Sequence, residues 1–309
     1  MKKISNTIYS TYVSAFQQLS PPTRLHFASR LSQWDNDELA EQLLGEVVTQ
    51  TRPAVAEEIR HQLSRLLQLS AADQPAVNEY SARAAYFATY PQLFGLHQAL
   101  FQVRNWLFHY NIDARDTLRS LPEFPDYRVM IEQLLLDTEA LQVLSTYTVN
   151  TIYLARRLLD SDENSIFSVR TIRNIASTIS TNHTPQNDLL LLYFVTHCIL
   201  GDTLFYKRPV PAAQLADYWT MLTVAEETIG DRLEALTLDA QFELLVAHKL
   251  CSTSSPQENA ILQRGQGQFD TKLGFIVDPK RPTKNTLETA EHRNVLFLMA
   301  NRPCKLAPI

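Results

Sequence analysis

The sequence predicts an all-α protein made of stacked helical hairpins, and three observations carry that expectation. Glycine occurs seven times in 309 residues, whereas the tight turns of a β-rich chain demand many residues at positive φ. Runs of β-branched residues alternating at period two are missing, while apolar residues recur at spacings of three and four. The segments so defined open on serine, threonine, aspartate or proline, the residues that suit helix N-termini.

In chain order, "SPPTRLHFASRLSQW" sets Ser20 as an N-cap, with Pro21 at the first helical position, where its missing N–H costs nothing. Asp35, followed three residues later by Glu38, has the form of a capping box for the next helix. "TRPAVAEEIRHQLSRLLQ" carries Val55, Ile59, Leu63, Leu66 and Leu67 on one face, and "YPQLFGLHQALFQVRNWLFHY" repeats the pattern with Leu93, Leu96, Leu100, Val103 and Leu107. "LLLLYFVTHCILGDTLFY" (Leu189–Tyr206) follows Thr184-Pro185 and is predicted to run until Pro209 and Pro211 stop it. Two further helices part near Gly230, residues 265–278 read as extended or irregular, and "PTKNTLETAEHRNVLFLMANR" is the last helix. The count is about a dozen helices with short connections.

The polar stretch "LLDSDENSIFS" (Leu158–Ser168) marks the expected boundary between an N-terminal helical region, 1–160, and a C-terminal hairpin region, 161–309, or a bend within one continuous domain. In the second region His197, His248 and His292 each sit in an apolar helix, 51 and 44 residues apart. That is about one helical hairpin per histidine, the period of repeats that hide their apolar faces only by stacking.

Composition removes several function classes. The formal net charge is −5 with the signs interspersed, so neither nucleic acid nor an anionic membrane is an expected partner. Leu189–Tyr206 is too short, and too polar at His197 and Asp202, for a membrane span. The N-terminus is basic but lacks a continuous apolar stretch, so no secretory signal is read there. Cys198, Cys251 and Cys304 are odd in number and far apart, which fits reduced thiols in a cytoplasmic protein. Glycine-rich phosphate loops, GxSxG elbows and CxxC pairs are absent from the sequence, and no motif names a cofactor.

Gln268, Asp270, Gly274 and Phe275, followed by a helix carrying His292, resemble the repeat end of α/α-toroids of the terpene-cyclase and prenyltransferase type. There a glutamine–aspartate–glycine–aromatic turn precedes a helix that opens on a histidine. The resemblance covers about the last 120 residues and implies a closed or partly closed ring of helical hairpins. It does not extend to the chemistry. The aspartate-rich motifs of terpene cyclases have no counterpart, and "WDNDE" and "DSDEN" sit at helix boundaries where capping accounts for them.

Candidate site residues follow from side-chain chemistry. His197 and Asp202 stand about 140° apart on a helix, so they serve different neighbours, whereas His197 and Gly201 share a face. Asp239 and Glu243, one turn apart, could hold a cation or divide acid and base roles. With His248, and with His197 and His292 on neighbouring hairpins, they offer a mixed carboxylate–imidazole metal set, chiefly His197, Glu243 and His292. Tyr193, Phe242 and Phe297 would be apolar walls. Glu291 and His292, adjacent on one helix, serve one site only if it lies between them. His97 and His109 flank an aromatic run with Phe101 and Trp106, and Arg104 within it is an anion-site candidate. Each residue also has a structural reading: packed histidines, solvated carboxylates, an aromatic core stripe. Two functions follow. One is a binding or interaction scaffold with a protein or small-molecule partner. The other is an enzyme or small-molecule binder whose site occupies the hollow of the helical ring.

Overall fold

A row of six helices, the inner helices, each packed on the next, organises the chain. The computed structural model describes residues 2–73 and 81–306. Within them the inner helices are α2 (Pro21–Asp35), α6 (Leu93–His109), α10 (Thr146–Leu154), α12 (Pro185–Asp202), α14 (Leu238–Leu250) and α16 (Glu291–Asn301). Each packs on the next, α6 on α10, α10 on α12, α12 on α14, α14 on α16 and α16 on α2. Helices α2 and α6 then face each other across a shared cavity.

The remaining helices lie between these in the chain: α1 (Lys2–Ser14), α3 (Glu38–Thr51), α4 (Ala56–Leu67), α5 (Ser81–Thr89), α7 (Arg115–Arg119), α8 (Tyr127–Leu136), α9 (Thr138–Leu144), α11 (Val169–Thr181), α13 (Leu215–Ile229) and α15 (Glu258–Gly267). Helices α11 and α13 pack on each other and on the inner helix α12, and α4 packs on the inner helix α6. Helix α11 buries Ile172, Ile175, Ala176 and Ile179 and leaves its other face to solvent, the one-sided pattern of an outer helix. Helix α14 is buried nearly all round, as an inner one must be. The all-α expectation holds.

Several boundaries fall elsewhere than the sequence predicts. Asp35 ends α2 instead of capping α3: Asn36 turns left-handed (φ 55°) and Asp37 becomes the cap, accepting from the Ala40 N–H at 2.9 Å. The Asp35 carboxylate faces Arg302 at 3.2 Å. Ser20 and Pro21 do open α2. Thr184 caps α12 as expected, but that helix ends at Asp202, seven residues before Pro209. The last helix begins at Glu291, and residues 282–284 form a single 3-10 turn. Asn285 accounts for that delay, since its side chain accepts from the Asp278 N–H (2.8 Å) and from Arg293 (3.0 Å) and ties the segment down. The irregular stretch 265–278 contains a small hairpin, β1 (Phe269–Asp270) paired antiparallel with β2 (Phe275–Ile276). Its turn is closed by Asp270, which accepts from the Lys272 and Leu273 N–H groups, and by Gly274 at φ 78°. Residues 160–168 form a loop after α10, which unwinds through a π-helical turn, Ala155–Leu159.

One buried ion pair braces the α10–α12 contact. Arg157 and Asp202, both fully buried, meet at 2.8 Å. Tyr218 donates to the other Asp202 oxygen at 2.8 Å, and Arg208 approaches at 3.2 Å. Asp202 is thereby structural, and His197 points elsewhere.

Candidate functional site

Helix α2 carries the first wall of the cavity. Phe27, Ala28, Leu31 and Trp34 are buried, and the Trp34 indole N–H donates to the Met299 carbonyl at 2.9 Å. On the adjacent face, His26, Ser29, Arg30 and Gln33 recur at i, i+3, i+4 and i+7. That is the spacing of a face turned to other protein, yet its residues are polar, and all four line a cavity of about 370 Å³.

Helix α6 supplies the opposite wall, with Phe101, Arg104, Asn105 and His109. Arg104 is 6 % exposed. Its guanidinium donates to the Leu204 carbonyl (3.0 and 3.2 Å), the Phe205 carbonyl (2.6 Å), the Asn105 side chain and His109 Nε2 (2.9 Å). None of these partners is anionic. Burial, with Arg30 nearby, pulls Arg104 below its ordinary value, although a guanidinium stays charged throughout the working pH range, and burial beside Arg104 and Lys207 holds His109 neutral, down to about 2.

The third wall is backbone in an uncommon conformation. Leu204, Phe205 and Tyr206 have φ of 51°, 55° and 72°. Side-chain-bearing residues enter the left-handed region at about 1–2 kcal/mol each, so three in succession must be held. Arg104 does this through the two carbonyls, Phe205 N–H donates to Leu200 O at 2.8 Å, and Tyr206 N–H donates to the Thr203 hydroxyl at 3.2 Å. The turn directs the Phe205 ring onto Phe101 (centroids 4.7 Å apart) and the Tyr206 ring under Arg30 (5.3 Å). Strain of this kind concentrates where function needs a fixed geometry.

Arg30 is the least compensated group of the site. Its Nε and Nη1 are buried with no hydrogen-bond partner among the described residues, as are the Tyr206 hydroxyl and the Gln33 amide nitrogen. A buried donor left unmade costs about 1–3 kcal/mol, more when charged.

Behind the cavity runs a row of imidazoles and carboxyls from the inner helices. His26 Nδ1 meets Glu291 at 2.8–2.9 Å, and its ring lies 5.3 Å from that of His292. His292 Nε2 stands 3.9 Å from Glu243, whose other oxygen is 3.4 Å from His197 Nε2 and accepts from the Thr196 hydroxyl. His197 Nδ1 contacts Asn150 Oδ1 at 2.7 Å. Burial and the nearby Arg30 and His26 pull His292 down to about 4. Burial opposes ionisation of Glu243, but the facing His197 and His292 outweigh it and hold the carboxyl below its ordinary range.

The structure thus joins His197, Glu243 and His292, and adds His26 and Glu291. It separates His248, which pairs with Glu226 of α13 at 3.1 Å. Asp239 faces Arg293 at 3.4 Å and Arg281 at 4.0 Å. It and Glu243 are buried, not an exposed stripe. Tyr193 stands edge-on to His197 at 6.0 Å. His97 is a packed histidine, set between Phe101 and Tyr147, 3.3 Å from the Thr151 hydroxyl, and pulled down to about 3 by burial. Phe242 and Phe297 pack on each other at 5.3 Å in the core. Cys251 is buried and its thiol is pushed up to about 12. Among the described residues no three histidine, cysteine or carboxylate side chains gather closely enough to hold a metal ion, and no helix is long and apolar enough to cross a membrane.

The α2 stripe escaped the sequence reading, although "HFASRLSQ" shows it: polar residues at helical face spacing beside an apolar face. No family model, no curated protein and no solved structure matches the chain.

Proposed function

We propose that the protein binds a small organic anion in the cavity between α2, α6 and the Leu204–Tyr206 turn, within the hollow of an α/α-toroid-like ring. The observation that carries this reading is the pairing of two arginines, Arg30 and Arg104, neither matched by a carboxylate contact among the described residues, on the wall of an aromatic-lined cavity. Guanidinium groups suit carboxylate and phosphate. Phe101, Trp106, Tyr110 and Phe205 offer apolar surface for the rest of the ligand, and the volume falls within the range of small-molecule sites. The inner-row order of packing supports the ring.

Calorimetric titration with benzoate and phenyl phosphate tests the reading. Arg30→Met removes one charged donor set while breaking no hydrogen bond to protein. With a charge-assisted bond worth about 1.5–3 kcal/mol, affinity should fall about 10- to 100-fold. Thermal stability should stay level or rise, since an uncompensated buried cation is removed. A scaffold without a ligand site predicts no binding by either form, and equal affinities would reject Arg30 as the anchor.

A further inference from the structure

We propose that the His26–Glu291 pair is the proton-binding counter-ion of this cavity. The anion enters when the pair carries its proton, and at alkaline pH each anion bound brings one proton with it. The inference rests on the anion-binding reading and adds a coupling that the reading alone does not contain.

The geometry is a relay between ligand space and a sequestered carboxyl. His26 is 31 % exposed along its side chain and lines the cavity. Its Nδ1 is held by Glu291, which is 3 % exposed at the first position of α16. Arg30 stands one turn beyond His26 on the same face of α2. An ionised Glu291 would therefore satisfy, through His26 and Arg30, the positive field that the ligand needs.

Every element packed around the pair brings a charged or titratable group. Helix α2 brings Arg30, and α16 brings His292. Helix α14 brings Asp239, already set against Arg293 and Arg281. Glu288 is bound by the hydroxyls of Ser20 and Thr23, and α1 brings the Tyr12 phenol. Arg104 lines the far side of the cavity, and Lys207 sits near it over the Phe108 ring. Burial pushes Glu291 up to about 8 despite the pull of Arg30 and His292. His26 is held well below its ordinary value by burial and by Arg30 and Arg104. At neutral pH the pair thus holds one proton and no net charge. Above about 8 it releases that proton to solvent and becomes a carboxylate that competes with the ligand for the same cations.

Benzoate, which does not titrate between pH 6.5 and 9.5, is the probe, with the full chain in the calorimeter. Affinity should hold up to about pH 8 and then fall, approaching about tenfold per pH unit. Measurements at pH 9 in buffers of different ionisation enthalpy should show about one proton taken up per benzoate. Glu291→Gln should bind at pH 9 as the wild type does at pH 7, with no proton uptake. Lys207, which burial lowers to about 8, titrates in the same window, so Lys207→Met must keep the slope. A flat profile in the wild type, or a slope lost in Lys207→Met and kept in Glu291→Gln, overturns the proposal while leaving anion binding intact. Failure of the wild type to bind benzoate at pH 6.5 ends both. Should Glu291→Gln not fold, the proton count of the wild type and of Lys207→Met decides alone.

Discussion

Asp202→Ala should be among the most damaging single changes in the protein, although the residue lies outside the cavity. The substitution leaves Arg157, itself fully buried, without its 2.8 Å partner. It also removes one of the acceptors of the Tyr218 hydroxyl (2.8 Å), which keeps Gln214 and Tyr153, and one contact from Arg208 (3.2 Å). Breaking one side of a buried pair costs about 3–5 kcal/mol, because the surviving charge is stranded in a low-dielectric interior. Neither group is exposed, so solvent screening offers no discount. Domains of ordinary stability hold about 5–15 kcal/mol in all, and the variant should therefore unfold at a much lower urea concentration with an unchanged slope. Replacing both partners by apolar residues, Arg157→Met with Asp202→Leu, should recover most of the loss, since no charge is then left unpaired. A loss below about 1 kcal/mol in Asp202→Ala, or a double variant as unstable as the sum of its parts, would refute this account of how α10 and α12 are joined.

Three further outcomes follow from the same geometry. Gly201→Ala should destabilise by up to about 2 kcal/mol by urea titration: overpacking costs about 1–3 and the gain in helix propensity returns about 1. An added Cβ would stand 2.7 Å from Tyr153 Cβ and Cγ, atoms too close to that backbone to swing aside. Arg104→Met should cost about 3 kcal/mol by the same assay, because the left-handed turn at Leu204–Tyr206 loses a charged donor to two of its carbonyls. It should also raise backbone hydrogen exchange in residues 203–207. Glu291 makes stability fall with alkalinity. Its folded value, up to about 8, lies above the unfolded one, so the protonated form is favoured by folding. That stability is complete below about pH 4.5 and lost as pH rises through about 8. Melting temperatures of the wild type relative to Glu291→Gln should decline across that window and level off above it. A constant difference would show that Glu291 titrates normally.

Local grammar made much of the fold legible. Ser20-Pro21, Thr184-Pro185 and the apolar faces of α4 and α6 are short-range signals, and the structure follows them except at Val55, which precedes α4 and is exposed. The separation of His197 from Asp202 was legible too, because helical geometry alone forbids them a common target. The pair takes different partners, Glu243 and Arg157. What could not be read is what depends on distant chain. Glu291 and His26 are 265 residues apart, and no spacing rule joins them. The left-handed turn after Asp202 is set by Arg104, about 100 positions upstream, against the local preference of a Leu-Phe-Tyr sequence. The histidine repeat gave two convergent rings and one that diverges: His248 lies on α14 with Glu243, yet is committed to Glu226. Five residues along a helix place the two on different faces, so period by itself could not bring all three imidazoles together.

Anomalous diffraction from crystals soaked in iodide would test the central claim most directly, because iodide reports where the protein binds a small anion. The account predicts a peak in the cavity within contact distance of Arg30, near Arg104 and the Tyr206 hydroxyl, in the wild type and not in Arg30→Met. An empty cavity, with Arg30 turned onto a carboxylate of its own chain, would contradict it.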